Sequence, residues 1–212
     1  MPDGTSARVV LATRNPHKVV EVQRILAAAA VDVAVVSLDD LEAEGSVTAA
    51  PEVAETGDTF AANALLKARA IAAHTGLVAV ADDSGLCVDA LNGMPGIFSA
   101  RWAGTGRDDA ANLALVLDQV ADVPDEHLGA RFVCAAAVAL PSGEERVVEG
   151  RVLGRLVRSP RGTGGFGYDP IFQPDGYDVT TAEMTAEAKH AISHRGKAFR
   201  ALAPVLSELL LR

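Results

Sequence analysis

The chain has 212 residues, of which 49% are hydrophobic, and its formal net charge at pH 7 is −9. This apolar content excludes a disordered protein, and the length suits one domain with a substantial core. The acidic charge argues against nucleic acid as a partner, because binding a phosphate backbone needs a broad basic surface. No apolar run approaches the roughly 18 residues of a membrane span, so we expect no membrane partner either.

Hydrophobic periodicity and turn residues predict alternating strands and helices along the chain. The first part of the chain is predicted to form a strand at 8–13, a helix after Pro16, a strand at 31–37 and an irregular connection at 38–51. A helix follows from Asp58 or Thr59 to about His74 and ends at Gly76. After it come a strand at 77–81, a carboxylate-rich turn at 82–85, an extended segment at 86–90 and a helix at 108–120. Then come two extended runs at 130–140 and 145–157 joined by a hairpin turn, a Gly-rich loop at 162–167 and a helix after Ser193. The early strand–helix–strand order favours parallel pairing, whereas the hairpin requires antiparallel pairing. We therefore expect one α/β domain over residues 1–212 with a mixed sheet.

Lysine is scarce in this chain, with four lysines against fifteen arginines. Each of the four lysines lies in a short polar segment; they are Lys18, Lys67, Lys189 and Lys197. A compact ammonium is a common partner of polyphosphate oxygens, and arginine is not equivalent to it. The pattern predicts a protein that binds phosphate, although chance accounts for any single lysine.

The segment from Thr13 to Lys18 joins the first predicted strand to the first helix. Such a junction points backbone N–H groups and a helix N-terminus toward one place, and Lys18 adds charge. Thr13 and Asn15 are equally compatible with ordinary helix capping, so this segment alone leaves both interpretations open.

Asp82 and Asp83 directly follow a buried apolar strand. Two adjacent carboxylates there are costly unless they pair with cations or hold a metal. Because successive residues of an extended chain point to opposite sides, the two need not share a role. One can bind Mg²⁺ or activate water, and Glu55 is a candidate second ligand. A structural Asp-rich turn is the alternative.

Two further segments carry polar or aromatic groups suited to a nucleotide. The loop 162–169 contains four glycines in six residues, and its Phe166 and Tyr168 offer faces for base stacking. If Ser193 caps the last helix, the basic segment 194–197 occupies its first turn, where the helix dipole disfavours cations. Basic residues in that position indicate a bound anion or carbonyl group. The alternative is a helix that starts near Glu187, with the basic side chains solvated.

Taken together, these segments resemble the inosine triphosphate pyrophosphatase family, which hydrolyses deaminated purine nucleotides. The matching motifs are Thr13-x-Asn15-x-x-Lys18, the run from Glu55 to Ala68, Ala81-Asp82-Asp83-Ser84-Gly85-Leu86, Pro95 to Arg101, Gly162 to Pro170 and Ser193-His194-Arg195-Gly196. They span nearly the whole chain. The resemblance implies an elongated mixed sheet with flanking helices, two lobes around a central substrate cleft, Mg²⁺ dependence and a homodimer.

The resemblance also implies a role for each matched residue. Asp83 would be the proton acceptor and a metal ligand, with Glu55 as a second ligand. The triphosphate would be bound by Thr13, Arg14, Asn15, Pro16, His17, Lys18 and Lys67. Ser84 would contact substrate, the segment Phe166, Gly167, Tyr168 and Asp169 would frame the base and sugar, and Lys189, His194 and Arg195 would read the purine edge.

We therefore expect hydrolysis of ITP, dITP and XTP to the monophosphate and pyrophosphate. Two alternatives are a regulatory protein that binds a purine nucleotide without cleaving it, and a related pyrophosphatase that acts on pyrimidine or modified nucleotides. We expect a cytoplasmic location, because the segment 1–8 lacks a signal-peptide pattern and both cysteines lie in apolar segments.

Overall fold

The computed structural model describes residues 7–14 and 16–211, and the backbone alone for Pro16 and His17. Its strands are β1 Ala7–Leu11, β2 Val33–Ser37, β3 Val78–Val88, β4 Gly129–Ala139, β5 Glu145–Leu156 and β6 Phe172–Pro174. Its α-helices are α1 Pro16–Ala28, α2 Leu38–Ala43, α3 Phe60–Thr75, α4 Asp109–Gln119, α5 Ala186–Ile192 and α6 His194–Leu210. None of the described helices is both long and apolar enough to cross a membrane.

The strands form one mixed sheet in the order β2-β1-β3-β4-β5-β6. Strand β1 pairs in parallel with both β2 and β3, whereas β5 and β6 are antiparallel. The turn between β4 and β5 is closed by a hydrogen bond from the N–H of Leu140 to the carbonyl of Glu144 (2.8 Å). The sheet with flanking helices confirms the predicted mixed α/β fold.

Helix α3 begins and ends as its sequence predicts. The Thr59 side chain accepts a hydrogen bond from the N–H of Ala62, and Gly76 ends the helix in the left-handed region at φ 67°. Glycine adopts that conformation without steric cost, and the Thr59 oxygen satisfies one of the free N–H groups at the helix start. These caps fix the register of α3 and so decide which of its residues point inward.

Two sequence predictions are wrong in detail, and a third is confirmed. The predicted turn at 82–85 is extended and belongs to the single eleven-residue strand β3. The predicted irregular connection at 38–51 starts with helix α2, which a capping box of Ser37 and Asp40 stabilises. The last helix begins directly after Ser193 as predicted, and the Ser193 hydroxyl accepts a hydrogen bond from the N–H of Gly196 (2.9 Å); the short helix α5 before it was not predicted.

The chain divides into two compact units, each with its own hydrophobic core. The first contains the described residues up to Asp83, residues 135–149 and those from Lys197 onward; the second contains 84–134 and 150–196. The first core is aliphatic and rich in alanine, with Val10, Leu41 and Ile71 among its buried members. The second is built around larger side chains such as Tyr168 and Phe172.

Candidate active site

Strand β3 carries the two adjacent carboxylates of the site. Successive side chains of a strand point to opposite faces, and Asp82 and Asp83 accordingly have different partners. The Nζ of Lys18 lies 3.2 Å from Oδ1 of Asp82, whereas the Nζ of Lys67 lies 3.2 Å from Oδ1 of Asp83. Each carboxylate therefore pairs with one of the two lysines predicted to bind phosphate.

Lys67 lies between two carboxylates. Its Nζ is also 3.0 Å from Oε1 of Glu55, in the segment that precedes α3. Burial alone would lower the pKa of Lys67, but the charges of Asp83 and Glu55 outweigh burial and raise it. The Lys67 ammonium consequently stays protonated and positively charged.

The pKa of Asp83 is raised from its usual value, and burial is the largest cause. Lys67 acts in the opposite direction, and the nearby charge of Glu55 raises the pKa further. We attribute the net direction to burial, because the side chain is only 13% exposed and an ammonium 3.2 Å away only partly replaces water. A carboxylate with a raised pKa is a stronger base, as proton acceptance from water requires.

Asn63 is a site residue that the role assignments from the sequence missed. It lies on α3, is fully buried, and donates a hydrogen bond from Nδ2 to Oδ2 of Asp83 (3.3 Å). Its Oδ1 accepts a hydrogen bond from the N–H of Gly57 (2.8 Å). The sequence did contain a signal for this role: Asn63 and Lys67 are four residues apart, and residues four apart share one face of a helix.

Glu55 and Asp83 are the residues that fit a divalent cation. Their carboxylates already converge on one cationic group, the ammonium of Lys67. Within residues 7–14 and 16–211, no cluster of three or more His, Cys, Asp or Glu side chains could hold a metal ion. Mg²⁺ commonly uses one or two carboxylates and takes its other ligands from water and substrate phosphates, so this pair suits it.

The junction between β1 and α1 is only partly described. Asn15 lies outside the described residues, as do the side chains of Pro16 and His17, and their predicted contacts stay predictions. Arg14 is half exposed and its guanidinium pairs with Asp39 and with Glu42 (2.9 Å) of α2. The guanidinium that was predicted to bind the triphosphate thus pairs with two carboxylates of α2.

In the second unit, three predicted residues have defined partners. An Nη of Arg195 lies 3.4 Å from the hydroxyl of Ser84, the residue that follows Asp83 in β3. The ring of His194 stacks on that of Phe132 at 5.0 Å between centroids, with planes 13° apart. Phe132 therefore orients His194, a contact between distant chain positions that no sequence pattern indicated.

The Gly-rich loop presents Phe166 to solvent. Its side chain is 69% exposed, and the Nζ of Lys189 lies 5.2 Å from the ring centroid. The N–H of Gly167 donates to Oδ2 of Asp109 (2.8 Å), which ties the loop to the start of α4. An exposed aromatic ring beside an ammonium is suited to stacking on a base whose phosphate carries negative charge.

Tyr168 and Asp169 are buried rather than open to a ligand. The Tyr168 hydroxyl donates to the carbonyl of Ser99 (2.8 Å), and burial raises the pKa of the phenol. Asp169 accepts hydrogen bonds from the N–H of Phe166 (2.8 Å), the Thr181 hydroxyl (2.8 Å) and Lys189. Both residues hold the loop in place, and their predicted contacts with substrate stay predictions.

A mixed α/β sheet with lysine–carboxylate pairs on β3 and an exposed aromatic loop defines an α/β protein suited to a phosphorylated ligand. The chain belongs to the Ham1 family, whose model matches residues 9–205. This match confirms the family resemblance seen in the sequence.

Curated relatives and solved structures agree with this assignment. The chain is 63% identical over 203 residues to a dITP/XTP pyrophosphatase of Streptomyces coelicolor, with 96% of this chain and 98% of the relative covered. The crystal structure of a nucleoside-triphosphatase / dITP/XTP pyrophosphatase from Mycobacterium abscessus is 55% identical in sequence, with a TM-score of 0.79 over 94% of this chain and 99% of that one. A HAM1 protein from Coxiella burnetii is 38% identical, with a TM-score of 0.85 over 95% of this chain and 99% of that one.

Proposed function

We propose that the protein hydrolyses deaminated purine nucleoside triphosphates, namely ITP, dITP and XTP, to the monophosphate and pyrophosphate. The observation that carries the proposal is the pairing of Lys18 with Asp82 and of Lys67 with both Asp83 and Glu55. The relatives named dITP/XTP pyrophosphatase support the substrate class. The sequence expectation and the geometry thus favour the same activity.

In the reaction, a water oxygen bonds to the α-phosphorus and the bond from that phosphorus to the bridging oxygen breaks. Asp83 accepts one proton from the water, a role that its buried position and raised pKa support. Pyrophosphate leaves, and Lys18 and Lys67 offset the negative charge that develops on it. The two ammonium groups are positioned for this before substrate arrives, because carboxylates on β3 already hold them.

We also propose that activity depends on Mg²⁺, held by Glu55 and Asp83. A bound Mg²⁺ would supply charge neutralisation at the phosphate oxygens. Support comes from the donor set, since two carboxylates that converge on one cation leave the remaining positions for water and phosphate.

Selectivity for a 6-oxo purine requires hydrogen-bond donors at O6, which Arg195 and His194 can supply. Adenine carries an amine at that position, so a donor would face a donor without a partner. Phe166 would stack on the base, which its exposure favours. We therefore expect ATP to be a far poorer substrate than ITP.

We propose two further properties that the resemblance implies. The first is a homodimer, which sedimentation of the purified protein tests. The second is a cytoplasmic location, which the two buried cysteine thiols, Cys87 and Cys134, support.

The decisive experiment is a substrate panel that separates pyrophosphate from inorganic phosphate as product. ITP, dITP, XTP, ATP, GTP, dTTP and UTP are compared with and without Mg²⁺, for the wild type, Asp83→Asn and Asp122→Asn. Asp122 is exposed and lies outside the site, so its variant controls for the loss of one carboxylate. We expect pyrophosphate from the deaminated purines, Mg²⁺ dependence, and loss of activity in Asp83→Asn alone.

Each other outcome contradicts a specific part of the proposal. Inorganic phosphate as the product contradicts the cleavage position, and a peak on dTTP or UTP contradicts the substrate class. Nucleotide binding without any product, with Asp83→Asn unchanged, indicates a regulatory binding protein instead. Full activity in a metal chelator contradicts the Mg²⁺ proposal alone.

A further inference from the structure

The amide of Asn63 connects two parts of the first unit that are distant in sequence. Its Oδ1 accepts a hydrogen bond from the N–H of Gly57 (2.8 Å), and its Nδ2 donates to Oδ2 of Asp83 (3.3 Å). The side chain is fully buried. A buried amide that uses both ends is held firmly, because losing either bond leaves a polar group without a partner.

The loop before α3 fits closely around this amide. A Cβ added to Gly57 would lie 2.7 Å from Oδ1 of Asn63 and 2.7 Å from the Cβ of Ala62. Gly57 therefore lets the backbone approach the amide, and it lies two residues after Glu55. The same bond that holds Asn63 also fixes the loop that carries Glu55.

The two oxygens of Asp83 have different partners. Oδ2 accepts from Asn63, and Oδ1 accepts from Lys67. Rotation of a carboxylate about its last side-chain bond is soft, so an unrestrained Asp83 would exchange its oxygens or tilt. Because the neutral amide of Asn63 holds Oδ2, Oδ1 is the oxygen that faces Lys67, the partner of Glu55.

We propose that Asn63 is a positioning residue for hydrolysis, which orients the Asp83 carboxylate through Oδ2 and holds the Glu55 loop through Gly57. This inference rests on the proposed function. Asn63 acts through Asp83 and Glu55, so its loss lowers kcat more than it weakens nucleotide binding.

The test uses two variants of Asn63 and a matched pair elsewhere. Asn63→Asp keeps the size and the acceptor for Gly57 but removes the donor to Asp83, whereas Asn63→Ser shortens the side chain. Asn112 is the control, because it is also buried, accepts from the N–H of Ala103 (2.6 Å) and donates to the carbonyl of Ala100 (3.3 Å). Asn112→Asp and Asn112→Ser are made in parallel, and kcat, KM for ITP and the melting temperature are measured for all.

We expect both Asn63 variants to lose kcat by about 10- to 100-fold with KM within about threefold, at a temperature where they are folded. The Asn112 variants should lower the melting temperature and keep kcat within about threefold. If Asn63→Asp does not fold, Asn63→Ser decides the question.

A kcat within about threefold of wild type in a folded Asn63 variant overturns the inference. The inference is also overturned if kcat of the Asn63 variants falls only in proportion to the fraction of folded protein, as expected for the Asn112 variants. A wild type that hydrolyses no nucleotide overturns the proposed function and this inference with it. An active wild type with unaffected Asn63 variants overturns the inference alone.

Discussion

The Nζ of Lys67 lies 3.2 Å from Oδ1 of Asp83. Glu55 approaches the same ammonium at 3.0 Å, so a lysine lies between the two carboxylates that fit a divalent cation. A cation at these carboxylates would meet the positive charge of Lys67 at close range, and that repulsion is not screened where the groups are largely buried. Lys67 should therefore oppose metal binding until nucleotide phosphates attract its ammonium away.

The first prediction is that Lys67→Gln strengthens metal binding by the nucleotide-free protein while weakening hydrolysis. Removing one charge next to the two carboxylates should lower the Kd for Mn²⁺, used as a probe for Mg²⁺, by about tenfold or more. Titration calorimetry or the paramagnetic resonance signal of free Mn²⁺ measures this without any catalysis.

Arg69→Gln is the control for this prediction. Arg69 lies on the same helix, but its exposed guanidinium pairs with Glu145 (2.6 Å), outside the site. The Kd for Mn²⁺ should stay within about twofold of wild type in this variant. An equal Kd in Lys67→Gln and wild type would contradict the proposed competition.

The second prediction separates the two adjacent aspartates. Asp83→Asn should lower kcat by about 10²- to 10⁴-fold, since it removes the proton acceptor. Asp82→Asn should mainly raise KM, by about three- to tenfold, because Asp82 holds Lys18 (3.2 Å) rather than the reacting water. Initial rates over a range of ITP concentrations separate the two effects.

Lys18→Gln tests whether Asp82 acts through Lys18. If it does, Asp82→Asn combined with Lys18→Gln should raise KM no more than Lys18→Gln alone, because both changes remove one interaction. Additive increases in KM would show that Asp82 has a separate role.

The fold was predictable where hydrophobic pattern and capping residues agree. Thr59 and Gly76 mark the ends of α3 correctly, and the hairpin turn predicts the β4–β5 connection. The segment 82–85 was mistaken for a turn because it consists of polar residues and a glycine. Strand β3 nevertheless continues through it. Pairing of the carboxylates with lysines makes that polar stretch acceptable inside a sheet, and such pairing is invisible in a local pattern.

The site was predictable for groups that carry charge and less so for groups that position them. Asp83, Glu55 and Lys67 were identified before the structure, which brings them together. Asn63 and Phe132 were not assigned roles, because a buried amide and a ring gain their roles only from tertiary contacts. Tyr168 was predicted from its Gly-rich loop to offer a face to the base, and its side chain belongs to the second core; its contact with substrate stays a prediction.

The third prediction concerns Phe166, whose side chain is 69% exposed. Phe166→Ala should raise KM for ITP by about 5- to 50-fold through loss of base stacking. The free energy of unfolding should change by less than about 0.5 kcal/mol, since little buried surface is lost. Leu153→Ala is the control, as Leu153 is 57% exposed in the same unit but belongs to strand β5. Equal KM values in the two variants would argue against stacking.

The fourth prediction follows from the capping box at the start of α2. The N–H of Asp40 donates to the Ser37 hydroxyl (3.0 Å), and the N–H of Ser37 donates to Oδ2 of Asp40 (2.9 Å). Hydrogen bonds from the Ser37 side chain and then its backbone lower the pKa of Asp40. A carboxyl with a lowered pKa in the folded state stabilises the fold above its unfolded pKa, about 3.9, and this contribution is lost as pH falls through the folded pKa.

Asp40→Asn should therefore lower the free energy of unfolding at pH 7 by about 0.5 kcal/mol, the low end for a cap because Asp40 is exposed. The difference from wild type should shrink below about pH 4, where the wild-type carboxyl takes up its proton. Urea unfolding of both proteins at several values between pH 7 and 3 measures it. Asp122→Asn, at an exposed position outside any helix, controls for the change in net charge. A difference between wild type and Asp40→Asn that stays constant down to pH 3 would show that the ionised carboxylate contributes nothing to the cap.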